Sequence, residues 1–293
     1  MKVAIYLGHP AHFHLFNYTA KNLVSSGHTV SFVIKQKDIL KDLLQNAGFK
    51  YVTIREEERK KSSKLGLMFS LIKMDFKMLR FLLKDRPDIL IGTYVALLGK
   101  LSGVPIISIN EDDASAVPMF AFTSYPLANA ILNPTVCNSG RWEKKAIKYH
   151  GYQKLAYLHP NQFTPNKEIA DQYIDTSKPY FIMRFAKLNA HHDKNVIGIT
   201  DYIALRLVDI LKPHGNVYIT SERALNQGLE QKRLVINPLH IHHIMAFATL
   251  YIGDSQSMAV EAAMLGIPNI RFNDFVGKIG VLNEIEEVYG LYT

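Results

Sequence analysis

The chain reads as an α/β protein built from two Rossmann-like parallel-sheet domains facing a cleft. Short apolar runs alternate with amphipathic stretches, the pattern of strands wrapped by helices. The alternation lapses once, over 151–166, where two prolines, a glycine and no period mark a connection, and then resumes. A length of 293 residues accommodates two ordinary domains. The expected division is therefore 1–150, a linker 151–166, and 167–293.

Composition narrows the function classes. A hydrophobic content of 48% with 20% charged residues describes a globular chain with ample core. The single cysteine, Cys137, rules out an intramolecular disulfide and a thiolate metal cluster, which suits a reducing cytoplasm. Residues 1–7 carry one lysine and no cleavage pattern, so they read as a first strand and not as a signal peptide. No run reaches the roughly eighteen uncharged apolar residues of a membrane span. A net charge of +8 favours anionic partners. Nucleic acid is not expected among them, because no recognition motif and no arginine-rich, aromatic-laced face appears.

In the first domain, strands are expected at 2–7, 29–34, 51–54, 89–91, 105–109 and 130–132. Helices are expected at 13–26, 37–46 and 98–102, closed by Gly27, Gly48 and Gly103 in the position where a left-handed residue ends a helix. On the long helix expected at 65–84, Leu65, Met68, Phe69, Ile72, Phe76, Leu79 and Leu83 share one face, with Lys73, Lys77, Arg80 and Lys84 off it. That helix packs its apolar face on the sheet, lays a basic amphipathic surface on a membrane, or does both with different faces. The second domain is expected to carry strands at 180–183, 217–220, 234–236, 250–252 and 269–272, with helices at 196–211, 241–247 and 279–288.

Ligands in such sheets sit at the carboxyl ends of strands, so the following loops hold the candidate site residues. After the first strand come His9, His12 and His14. No carboxylate or cysteine joins them at a metal-ligand spacing, so no metal is expected; helix capping, sugar contact or acid–base work by His12 stand open. After the fifth strand come Glu111, Asp112 and Asp113, adjacent carboxylates whose repulsion suits a general base, with a solvated acidic turn as the alternative. The second domain offers Arg184 and Lys187 for a diphosphate, with His191, His192 and Asp193 beyond them. In Asn237-Pro238-Leu239-His240, His240 is the expected contributor, and His242 and His243 are expected to be solvated helix residues.

The most specific stretch is Gly253-Asp254-Ser255-Gln256-Ser257 with Glu261. An apolar run ends at Gly253, polar residues turn the chain, and a helix begins at once. Free N–H groups and the helix dipole there form an anion site, to which Ser255 and Ser257 add hydroxyls. Glu261, one turn in, is placed for a sugar diol. The plainer alternative is that Asp254 or Ser255 merely caps a helix.

This stretch resembles the nucleotide-binding segment of GT-B proteins, especially the non-hydrolysing UDP-N-acetylglucosamine 2-epimerases, in which Asp-Ser-Gly-Gly precedes a helix with a ribose-binding Glu. Gln256 and Ser257 replace the two glycines. His9-Pro10-Ala11-His12 and the loop ending at Asp193 resemble the same group of bacterial and archaeal proteins, related also to lipid-carrier glycosyltransferases. The resemblance implies a GT-B-like fold and places a catalytic carboxylate near Glu111, basic residues at Arg184, and the nucleotide base near His240. It implies a glycosyltransferase, with a UDP-linked donor, in cell-surface polysaccharide or glycoconjugate synthesis, with no cofactor beyond the nucleotide sugar and a lipid-linked or saccharide acceptor. The expected location is cytoplasmic, with peripheral contact to the membrane's inner face. A sugar-nucleotide epimerase is the alternative, although Gly92-Thr93-Tyr94 stands where epimerases carry an Asp; an inert nucleotide-sugar-binding partner is another. GT-B chains usually end on a helix that returns to the first domain, so either that segment is absent here or the fold is trimmed.

Overall fold

The computed structural model describes residues 1–36, 39–55, 64–92, 96–186, 198–272 and 279–291, with the backbone alone over 64–71 and at 96. These residues form two compact units, Met1–Tyr157 and Leu158–Thr293. The division falls within 151–166, where the chain forms a short helix, Leu155–Leu158, and buries Tyr152 and Tyr157.

The strands of the first unit are β1 (Lys2–Leu7), β2 (Thr29–Lys35), β3 (Tyr51–Arg55), β4 (Ile89–Gly92), β5 (Ile106–Ile109), β6 (Ala130–Pro134) and β7 (Ala146–Tyr149). They form one sheet in the order β3-β2-β1-β4-β5-β6-β7, every neighbouring pair parallel. The first six lie where the apolar runs place them. Strand β7 escapes such a reading, because Ala-Ile-Lys-Tyr is short, half polar and mostly half-buried. Gly99 lets the helix Ala96–Ser102 lie close on β5: a Cβ there would stand 2.4 Å from an Ile106 side-chain carbon.

The helix Lys64–Asp85 packs on the sheet, as expected, but with a different face. Met78 and Leu82 enter the core with Tyr6, Val33 and Leu90, and Met74 and Phe81 pack beside them. Ile72, Phe76 and Leu83, predicted to be the packed face, are 57%, 67% and 54% exposed. The side chains of Leu65, Met68 and Phe69 lie outside the described residues. The helix is apolar on two sides, and periodicity weighted the wrong one.

The second unit holds β8 (Tyr180–Phe185), β9 (Asn216–Ser221), β10 (Leu250–Gly253) and β11 (Asn269–Arg271), all parallel, in the order β11-β10-β8-β9. Alternate residues of β8 serve separate cores: Tyr180 and Ile182 join Ile244, Met245 and Tyr251, whereas Phe181, Met183 and Phe185 join Val208, Leu211 and Ile219. Both faces are thus covered, which is why these strands read as continuous apolar runs. The strand expected at 234–236 does not form. Arg233 makes one isolated bridge to Ile219, and Leu234 N donates to Ile219 O at 2.8 Å before Pro238 opens a 3-10 turn. The helix expected from 196 begins at Asp201, capped by Thr200, whose Oγ1 accepts from Ile203 N; residues 196 and 197 lie outside the described residues.

Among the described residues, no helix is long and apolar enough to cross a membrane.

At the end of β4, Gly92 has φ +152°, and a Cβ there would stand 2.9 Å from Tyr6 Cβ and 3.1 Å from Tyr6 O. Gly92→Ala is expected to destabilise the first unit by about 1–3 kcal/mol through overpacking. An unchanged Tm by calorimetry would contradict that tight approach.

Candidate functional site

The carboxyl ends of the strands in the second unit bring together several predicted residues. Arg184 on β8 lies in register with Thr220 of β9 and Gly253 of β10. Gly253 lies under the Tyr251 hydroxyl, with an added Cβ 2.5 Å from that oxygen and 2.9 Å from Arg184 O. Asp254 N then donates to Arg184 O at 3.2 Å, and the helix Gln256–Met264 starts.

Neither Asp254 nor Ser255 caps this helix. Ser255 occupies the N-cap position in extended conformation and makes no side-chain cap hydrogen bond. The first backbone N–H with a helical partner is Ala259 N, which donates to Ser255 O at 3.1 Å. The first turn therefore presents N–H groups, with Ser255 and Gln256 half-buried and Ser257 exposed around them. This is the anion-binding geometry expected of a helix start.

The Asp254 carboxylate turns the other way. It is 3% exposed, and accepts from Ala186 N at 2.6 Å and from Ile199 N at 3.1 Å. Burial pushes its carboxyl above the usual range, and these two N–H bonds act against that rise. Ile199 O in turn accepts from Arg223, which pairs with Asp201 at 2.8 Å and covers the Phe185 ring. Both flanks of 187–197 are thus fastened to the rest of the unit. Lys187, His191 and His192 lie in that segment, outside the described residues. The sequence context of Asp254, one polar residue at a strand end, does not reveal so distant a partner.

Arg184 is not solvated alone: its guanidinium pairs with Glu222, just past β9. Glu261 is 8% exposed and faces His242, with Nε2 3.3 Å from Oε2. This corrects the expectation of a solvated His242. It is itself buried, and Phe163 packs edge-on against its ring. His243 is half-buried, stacks on Phe163 at 4.8 Å between centroids and accepts from Asn166 N. Burial, followed by His240 and His242, holds its imidazole below the usual range. The sequence disguised these two because the helix they occupy, Ile241–Met245, is too short to show a period. His240 Nδ1 lies 2.9 Å from the Tyr173 hydroxyl.

In the first unit, His9 caps the helix Pro10–Ser25, its Nδ1 accepting from Ala11 N. His12 Nδ1 accepts from Gly8 N at 3.3 Å, which places the proton of a neutral ring on Nε2. His14 packs on Phe13 and Tyr157. Among the described residues, no group of three His, Cys, Asp or Glu could hold a metal ion.

The acidic loop lies two strands away from β1, at the end of β5. Glu111 is committed to Lys154, in an ion pair with both side chains largely buried, and to Gln153 N at 3.0 Å. Asp113 Oδ1 accepts from Asn138 N at 2.7 Å, and Asn110 Nδ2 donates to Asp112 O and to the Tyr125 hydroxyl. Cys137 donates to Glu111 O, and burial raises its thiol pKa, so it behaves as a core residue.

With this geometry in hand, the likeness to solved structures is informative. The S. aureus MnaA–UDP co-structure matches at TM-score 0.70 and 15% identity over 100% of this chain and 83% of that one. UDP-GlcNAc 2-epimerase from Neisseria meningitidis, bound to UDP-GlcNAc, matches at 0.65 and 18% over 92% and 82%. The fold is GT-B. Spinosyn rhamnosyltransferase SpnG, complexed with spinosyn aglycone, shares it at TM-score 0.58 and 18% identity, over 92% and 80% of the two chains. No protein-family model and no curated protein matches the sequence.

Two outcomes follow from the second unit of this GT-B chain. Asp254→Asn leaves one acceptor oxygen for two N–H groups and is expected to destabilise the unit by about 1–3 kcal/mol in urea unfolding; an unchanged midpoint would refute the double bond. For His243 the folded pKa lies below the unfolded one, so the unfolded state takes up its proton first. Stability is then lost as pH falls below about 6.5. Melting between about pH 7.5 and 5.5 is expected to show a shallower decline for His243→Gln than for the parent.

Proposed function

We propose that the chain is a nucleotide-sugar-dependent glycosyltransferase, with a UDP-linked donor held by the second unit. The observation that carries this reading is the uncapped start of the helix Gln256–Met264, directly after β10 and in register with Arg184. A diphosphate there would receive backbone N–H groups and the positive end of the helix dipole, and Arg184 would exchange its Glu222 partner for a phosphate oxygen. Ser255, Gln256 and Ser257 would complete the contacts. Glu261, oriented by His242, would bind the ribose diol, and His240 would flank the base. Lys187, His191 and His192 supply further basic character in the sequence beyond Ala186.

Catalysis would rest on stabilising the departing diphosphate by these fixed dipoles and cations, with no cofactor beyond the nucleotide sugar. In the first unit, the ion-paired Glu111 is better suited to positioning, so the acceptor's proton is assigned to Asp112 or Asp113. His12, with its proton on Nε2, is assigned to donating a hydrogen bond and not to taking a proton. The acceptor would be a saccharide or lipid-linked sugar of cell-surface polymer synthesis, in the cytoplasm.

An epimerase is the second reading, favoured by the higher TM-score of the Neisseria meningitidis UDP-GlcNAc 2-epimerase, 0.65 against 0.58 for the rhamnosyltransferase. The absence of a carboxylate in Gly92-Thr93-Tyr94 speaks against it.

Calorimetry with UDP, GDP and dTDP provides the test. Gln256→Pro is the informative variant, because proline is tolerated at a helix's first position and deletes one N–H of the first turn. It is expected to weaken UDP binding about tenfold with an unchanged Tm, a loss of roughly 1.4 kcal/mol. No binding of any nucleotide by the parent protein would end the proposal. Deuterium entering C2 of UDP-N-acetylglucosamine in heavy water, with no acceptor present, would replace the transferase by the epimerase.

A further inference from the structure

The second apolar side of the helix Lys64–Asp85 is not explained by the fold or by the nucleotide site. Ile72 and Phe76 stand one turn apart on it, with Leu83 two turns on, each more than half exposed. The adjoining helix Ala96–Ser102, which packs on both Lys64–Asp85 and the helix Pro118–Ser124, exposes Leu97 at 55% and Leu101 at 64%. Pro118–Ser124 exposes Met119 at 79% and Phe122 at 59%. Seven large apolar side chains are thus presented by the described residues of three neighbouring helices, whereas scattered single exposures would need no explanation.

The fully exposed charges among them all have one sign. On the described side chains of these three helices, the exposed ionisable groups are Lys73, Lys77, Arg80, Lys84 and Lys100; Asp75 and Asp85 are only half-exposed. On Lys64–Asp85 the basic residues run alongside the apolar row, since positions 72, 76 and 83 project together and 73, 77, 80 and 84 project next to them at about 100° per residue. An apolar row flanked by cations matches the boundary between acyl chains and anionic headgroups. A protein partner would need its own apolar surface with acidic flanks; an anionic bilayer supplies both without a specific counterpart.

We propose that this helix layer of the first unit docks on an anionic lipid surface, its apolar row entering the headgroup boundary and its five cations meeting lipid phosphates. The docking does not depend on the nucleotide site. Each cation near such a surface strengthens binding roughly fivefold, and the attraction weakens with salt.

Flotation of the full chain tests this with two vesicle types, phosphatidylcholine alone and phosphatidylcholine mixed with phosphatidylglycerol. Binding is expected to the mixed vesicles only, reduced at least tenfold by Ile72→Glu with Phe76→Glu and also by Lys73→Gln with Lys77→Gln. These positions are exposed, so an unchanged Tm would show that each variant folds. Failure of the parent to float with mixed vesicles, equal binding to both vesicle types, or undiminished binding by either double variant would overturn the proposal. Sedimentation of the parent as a dimer that Ile72→Glu with Phe76→Glu dissociates would also overturn it, assigning the face to a second copy of the chain.

Discussion

At the carboxyl end of the second sheet, one buried carboxylate holds together parts of the chain that are far apart in sequence. Asp254 follows β10, yet its two oxygens take N–H groups from Ala186, after β8, and Ile199, before the next helix. A buried carboxylate without such donors would be expensive, and two buried N–H groups without an acceptor would each cost about 1–3 kcal/mol. The three are therefore stable only as a set. Because Asp254 is committed to this task, it cannot cap the helix that begins two residues later. The N-cap residue itself, Ser255, makes no side-chain cap hydrogen bond, and the helix start is left open to an anion.

The fold was largely visible in the sequence. Buried parallel strands such as Ala4 to Leu7 and Phe181 to Met183 are runs of apolar residues, and a run needs no knowledge of its neighbours to be recognised. Where a strand is held by context the reading failed. Strand β7 is half polar and depends on β6 for its backbone partners, while 234–236 is apolar but runs into Pro238 before a ladder can form. The candidate site was legible only in position. Strand ends pointed to Arg184, Glu111 and Asp254, but the partners that define their state, Glu222, Lys154 and the backbone at Ala186 and Ile199, lie from 38 to 68 residues away. His242 shows the same limit, since only tertiary packing against Glu261 and Phe163 distinguishes it from an exposed histidine.

The long helix illustrates how a correct pattern can lead to a wrong placement. A periodicity argument finds apolar rows but cannot say which one a sheet will take. Met74, Met78, Phe81 and Leu82 fit against Tyr6, Leu90 and Ile106, and their row won. Methionine and phenylalanine fill irregular gaps readily, and side chains of this type suit the surface of a twisted sheet. Ile72, Phe76 and Leu83, from the row with the regular spacing, were left outside, beside the lysines.

The helix start at Gln256 also determines how a bound anion would respond to acid. Its donors are peptide N–H groups, which carry no titratable proton in any biological range. Their contribution to a phosphate seated there would thus be the same at every such pH. What acid changes at that contact is the guest, whose terminal phosphate takes up a proton near pH 6.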